Sequence, residues 1–194
     1  MPYTIVLAPP ADQAMKYVET SQALYRDYQP SYLLTADGSS SPHITVVQFD
    51  CPTEEGAYEV WYKMCDELNE LHFEPFSPPF SGLALVNGEG PYKDTIWVEL
   101  SVKRGDEDFP IMKVHEMALN ALKACQVKPL NAVRSNYRPH LTLARIVLPK
   151  QLEMCPKILY ENSGKFRLEF GVSDEKWQYV RTLESFPYTG GDYQ

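Results

Sequence analysis

The sequence predicts an α+β fold built as two similar halves, and three observations carry that expectation. The order strand, helix, loop, strand occurs twice along the 194 residues. The last strand of each round opens on one pattern, Pro42-His43-Ile44-Thr45 and then Pro139-His140-Leu141-Thr142. No low-complexity stretch or linker divides the chain, so the halves form one packed body, with lobes spanning about residues 1–90 and 91–188.

The elements follow in order. Tyr3–Ala8 reads as a buried strand, and Ala11–Tyr28 as a helix in which Ala14, Val18, Tyr25 and Tyr28 recur at helical spacing. Thr35–Pro42 is a loop by composition and delivers the chain into the first His strand, continued by Val46 and Val47. Glu54 and Glu55 suit the positive end of a second helix whose stripe is Ala57, Trp61, Met64, Cys65, Leu68 and Leu71. Phe80–Val86 is a strand, 87–91 a turn, and Thr95–Val102 the strand that opens the second half. Asp106, Glu107 and Asp108, with Pro110 near the first turn, begin a third helix with the stripe Ile111, Val114, His115, Ala118, Leu122 and Cys125. A longer loop, Val127–Arg138, precedes the second His strand, which continues through Leu143, Ala144 and Ile146. A frayed tail is expected from Thr189.

Composition bounds what such a chain does. With 44% hydrophobic and 12% aromatic residues it can bury a sizeable core. The N-terminal run has no basic flank and is too short for a signal peptide, and no stretch is apolar enough to span a bilayer, so a cytoplasmic protein without membrane contact is expected. Cys51, Cys65, Cys125 and Cys155 are widely spaced and read as reduced, packed thiols. A net charge of −8 argues against a surface for long duplex nucleic acid, which is held by many Lys and Arg contacts to phosphate. The charge is uneven. Residues 117–152 hold no Asp or Glu and six cations (Lys123, Lys128, Arg134, Arg138, Arg145, Lys150), while the other 12 basic residues face all 26 acidic ones, a balance of −14. A positive zone on an otherwise negative molecule suits a small anionic ligand.

On a strand, residues two apart share a face, so each repeat offers an imidazole and a hydroxyl side by side, His43 with Thr45 and His140 with Thr142. With 16 Pro and nine Thr in 194 residues, a given His has this setting by chance with a probability of about 0.004. For two of four His, chance falls to about one in ten thousand. The bland alternative is two strand-end histidines bonded to backbone and two Thr chosen as β-formers. The other two His do not make a metal set. His115-Glu116 lacks a second His at helical spacing and reads as a hydrogen-bonded core residue, and His72 as a surface or capping residue.

These motifs resemble those of the two-histidine (2H) phosphoesterase superfamily, whose members carry two His-x-Thr/Ser motifs on pseudo-symmetric lobes. Pro139-His140-Leu141-Thr142-Leu143-Ala144-Arg145 is similar to the second motif of 2′-5′ RNA ligase-like proteins, and Phe166–Phe170 with Trp177–Phe186 to their closing strands. The resemblance implies two antiparallel-rich sheets with helices on the outer face and an active-site cleft between them. It implies a metal-independent phosphodiesterase without cofactor, opening 2′,3′-cyclic phosphates of nucleotides or RNA ends. The alternatives are cleavage of 2′-5′-linked or cyclic oligonucleotides, and a non-catalytic module that binds a nucleotide or RNA end. The partner is a small nucleotide or an RNA end bearing a cyclic phosphate, and the chain is expected to be a monomer.

Phosphodiester hydrolysis needs one proton removed and one delivered, and imidazole titrates in the range for both. His43 and His140 are the expected catalytic pair, with Thr45 and Thr142 donating to the non-bridging oxygens. The cations near His140 in sequence disfavour its charged form, which makes His140 the base and His43 the acid. Tyr137, Arg138 and Arg145 are further candidates for substrate binding. Tyr137 either stacks on a base or packs; strict alternation puts Arg145 on the face away from His140, so it reaches the cleft only through a bulge or else sits in a peripheral salt bridge. Trp97, Trp177 and Tyr179 read as core.

Overall fold

The structure, a computed structural model, describes residues 2–28, 30–88, 93–106, 108–147 and 164–188. The side chains of Tyr25 and Tyr28, part of the turn over 87–91, and Glu107, Lys150, Cys155 and the tail from Thr189 lie outside the described residues. The strands are β1 (Tyr3–Ala8), β2 (Pro30–Leu33), β3 (Ile44–Phe49), β4 (Phe80–Asn87), β5 (Thr95–Val102), β6 (His140–Val147), β7 (Arg167–Ser173) and β8 (Tyr179–Ser185). The helices are α1 (Ala11–Tyr28), α2 (Glu54–Glu70) and α3 (Pro110–Ala124). None of the described helices is long and apolar enough to cross a membrane.

All eight strands join one antiparallel sheet in the order β4-β5-β6-β3-β1-β7-β8, with β2 also paired to β6. The two expected sheets are therefore two halves of one, and the seam between them is the single residue pair Ile44↔Leu141. Both residues are fully buried. Each is preceded by its His, so the seam sets the two imidazoles on either side of it. Beyond the seam β6 leaves β3 and takes β2 along the same edge, Tyr32 opposite Arg145 and Leu33 opposite Ala144.

A division of the chain at about residue 90 does not follow this pairing. β4 precedes that point yet pairs along its length with β5, as consecutive strands joined by a short connection do. β7 returns to the free edge of β1 and carries β8 with it, so the last strands complete the first lobe. Packing crosses over as well: α1 lies against β6 and β2, and α3 against β3 and α2.

Helices α2 and α3 bury the stripes expected of them, with shifts at their ends, and of the α1 stripe Val18 is buried and Ala14 half-buried. In α2, Thr53 caps the N-terminus by accepting from Gly56 N at 3.1 Å, and Ala57, Val60, Trp61, Met64, Cys65 and Leu68 are buried. Leu71, read as the end of that stripe, is the C-cap residue and is exposed. In α1 the buried line is Gln13, Tyr17, Val18, Ser21 and Leu24, so it contains polar residues that an apolar count passes over. Ser21 explains its own burial, donating to Leu143 O at 2.5 Å and accepting from Leu34 N at 2.8 Å. α3 starts at Pro110, with Phe109 as the N-cap, so Asp106 and Asp108 lie ahead of it. Gly171 is needed on β7, since a Cβ there would meet Arg181 O at 2.1 Å and the Tyr179 ring at 2.6 Å. Its absence of a side chain lets Tyr179 lie down toward His43.

Candidate active site

His43 stands just before β3 and His140 begins β6. In each, Nδ1 meets the carbonyl two residues upstream at 2.8 Å, Ser41 O for His43 and Arg138 O for His140. A carbonyl only accepts, so both Nδ1 atoms carry hydrogen and Nε2 is in each ring the nitrogen that remains for other partners. The loop ahead of His43 is fixed by Ser41 N donating to Tyr179 O at 3.0 Å and by Gln178 Nε2 donating to Ser40 Oγ at 3.1 Å. The loop ahead of His140 is fixed by His115, whose Nδ1 donates to Val46 O at 2.9 Å while Nε2 accepts from Arg134 N at 3.1 Å. His115 is fully buried, and burial pushes its pKa down, so it is the neutral core residue expected and a tie between the two His-bearing segments.

Both repeats face one cleft of about 360 Å³, lined by His43, Thr45, His140 and Thr142 together with Arg138, Trp177 and others. Thr45 and Thr142 are half-buried on its floor. His43 is 8% exposed and its ring centroid lies 5.5 Å from that of Tyr179. Burial, foremost, pushes its pKa down to about 4, against a smaller opposing effect from the Ser41 carbonyl. At neutral pH His43 is therefore uncharged, the reverse of the acid role expected of it, because desolvation decides.

A buried carboxylate outside the expected set enters here. Glu99 is fully buried on β5, opposite Thr142 in register, while Ser101 stands opposite His140. Cross-strand partners share a face, so Glu99 rises beneath His140 and Thr142. It accepts from both terminal nitrogens of Arg138, the second at 3.3 Å, and its Oε2 lies 3.5 Å from His140 Nε2. Arg138 is thus a cleft residue, but its charge is already shared with Glu99. The available signal was one charged residue inside a strand that holds no other.

The register between Val98 and Glu99 shifts by one residue, Val98 pairing with Ala144 and Glu99 with Thr142. This bulge turns Arg145 onto the face of His140 and Thr142, but not into the cleft. Arg145 is 1% exposed, its guanidinium 4.0 Å from the Trp97 ring centroid, so it supports the wall that Trp97 and Tyr32 present. Tyr137 packs instead of offering its face: it is 4% exposed, its ring stacks on His115 at 3.8 Å, and its hydroxyl donates to Thr45 O at 2.8 Å. Of the three aromatics read as core only Tyr179 is buried; Trp97 lines the cleft, and so does Trp177, 39% exposed. Among the described residues no three His, Cys, Asp or Glu gather as a metal-binding group.

No family model matches the sequence, and no curated protein matches it either. Solved structures do match by fold. Kluyveromyces marxianus Usb1 aligns with a TM-score of 0.54 over 96% of this chain and 97% of its own, at 10% identity. Escherichia coli LigT complexed with 3′-AMP aligns with a TM-score of 0.53 over 97% of each chain, at 13% identity. K. marxianus Usb1 with uridine monophosphate gives 0.51 over 96% and 97%, at 8% identity. The paired lobes, the seam that places two His-x-Thr strands side by side and these whole-chain alignments together show that the chain has the fold of LigT and Usb1.

Proposed function

We propose that this protein is a metal-independent phosphodiesterase that hydrolyses 2′,3′-cyclic phosphates of nucleotides or RNA ends. The observation that carries the proposal is the pairing of two His-x-Thr sets in one cleft, each imidazole held through Nδ1 by a backbone carbonyl, which leaves Nε2 as the nitrogen that exchanges protons. One imidazole takes the proton of an attacking water as its oxygen bonds to phosphorus. The other gives a proton to the ribose oxygen as the ring P–O bond breaks, which leaves a phosphomonoester and a free hydroxyl. Thr45 and Thr142 face the non-bridging oxygens, where charge builds. The cleft volume of about 360 Å³ is in the range of small-ligand sites. The LigT structure with 3′-AMP and the Usb1 structure with uridine monophosphate place nucleoside monophosphates on the same fold.

The test is turnover by the purified protein, with EDTA present, of 2′,3′-cyclic mononucleotides, 2′-5′ oligoadenylate and an RNA ending in a cyclic phosphate. Opening of the cyclic phosphates in EDTA is expected. Loss of activity that Zn²⁺, Mn²⁺ or Mg²⁺ restores would remove metal independence, turnover of the 2′-5′ linkage alone would move the function to that substrate, and binding without turnover would make the protein a nucleotide-binding module.

A further inference from the structure

The two His-x-Thr sets are copies in sequence and in their Nδ1 bonds, yet their surroundings differ by one carboxylate. His140 has Glu99 from β5 at 3.5 Å from Nε2, with Arg138 from its own loop on the same carboxylate. His43 has the Tyr179 ring from β8 and the Ser41 carbonyl, and among the described residues no carboxylate pairs with it. Glu99 is fully buried and lies under Arg138, His140 and Thr142 without itself lining the cleft. A buried carboxylate needs cations or donors about it, and those that face Glu99 are Arg138 and His140.

We propose that Glu99 is a positioning residue that breaks the symmetry of the pair, holding a proton on His140 so that His140 is the donor and His43 the acceptor. This presupposes the cyclic-phosphate hydrolysis proposed above. Water loses its proton to His43 Nε2 as its oxygen joins phosphorus; the ring P–O bond breaks, and the departing ribose oxygen takes the Nε2 proton of His140. His43 then returns its proton to solvent, and His140 regains one beside Glu99.

The test compares a 2′,3′-cyclic phosphate with its analogue bearing sulfur at the bridging atom that leaves, since a thiolate departs without a proton. On the oxygen substrate both His43→Ala and His140→Ala should lose roughly two to four orders of magnitude in turnover. On the sulfur substrate His140→Ala should return to near the wild-type rate and His43→Ala should not. Glu99→Gln should lose roughly tenfold or more on oxygen, a fraction of the acid's own contribution, and nearly nothing on sulfur. Equal losses on both substrates would reduce Glu99 to a structural residue, and rescue of His43→Ala in place of His140→Ala would reverse the assignment; either overturns the inference. If Glu99→Gln does not fold, Glu99→Asp takes its place, with the same loss expected on oxygen and nearly none on sulfur. A wild type inert on both substrates overturns the phosphodiesterase function and this inference with it; a wild type active on both, with neither His variant rescued, overturns only the inference.

Discussion

His43 and His140 share a motif but not an environment, and burial sets His43 apart. With burial holding the His43 pKa near 4 instead of 6.5, the acid limb of kcat/KM should fall near pH 4, measured on a cyclic mononucleotide between pH 3.5 and 8. The same shift acts on stability. The unfolded chain binds the His43 proton more readily than the native one, so the stabilisation is complete above pH 6.5 and drains away as pH falls to about 4. A shift of that size corresponds to about 3 kcal/mol, and urea melts of wild type against His43→Leu should show it as a pH dependence that the variant lacks. At this scale the His and Thr pairs were legible because spacing and composition alone single them out. Glu99 was not, because its importance comes from a partner strand's register. Arg145 was misplaced by strict alternation for a related reason: one bulge between Val98 and Glu99 exchanges the faces beyond it.

Among elements, the β7–β8 turn shows local geometry serving the site. Asp174 Oδ1 accepts from Lys176 N at 2.8 Å and from Gln178 N at 2.9 Å, and Trp177 is carried between them at φ 67°. A bulky residue seldom adopts that conformation, and here it presents an indole at the cleft mouth. Trp177→Gly should therefore relieve backbone strain while removing a stacking face. KM for a cyclic nucleotide should rise roughly 5- to 150-fold, the worth of a base–aromatic stack of about 1–3 kcal/mol, with kcat little changed and the melting temperature within a few degrees. A fall in kcat with KM unchanged would contradict a stacking role. The helices were legible to within their ends, since apolar residues recur at helical spacing and Glu54 with Glu55, or Pro110, marks a start. β2 was not, being four residues long and dependent on β6 for its pairing.

Over the whole molecule, the seam Ile44↔Leu141 fixes how far apart the two imidazoles stand. Leu141→Ala should cost about 2–5 kcal/mol in chemical denaturation, as for other fully buried leucines, and should lower kcat more than a destabilisation of equal size placed at Leu68 on α2. Equal kcat losses at the two sites would mean that the seam only supports the core. Doubling of the motif announced two lobes, but the return of β7 and β8 to β1 is a pairing distant in sequence, which no local pattern encodes. The charge reading met the same limit. Of the cations in the acid-free segment, Arg138 is shared with Glu99 and Arg145 is buried behind Trp97, so neither offers a whole charge to a ligand. The central claim is that two imidazoles act as one acid–base unit, and the most direct measurement is the rate of 2′,3′-cyclic nucleotide opening in EDTA by wild type, His43→Ala, His140→Ala and the double variant. Each single replacement should cost roughly two to four orders of magnitude, with the second adding little to the first. A double variant that opens the cyclic phosphate near the wild-type rate would place the chemistry elsewhere.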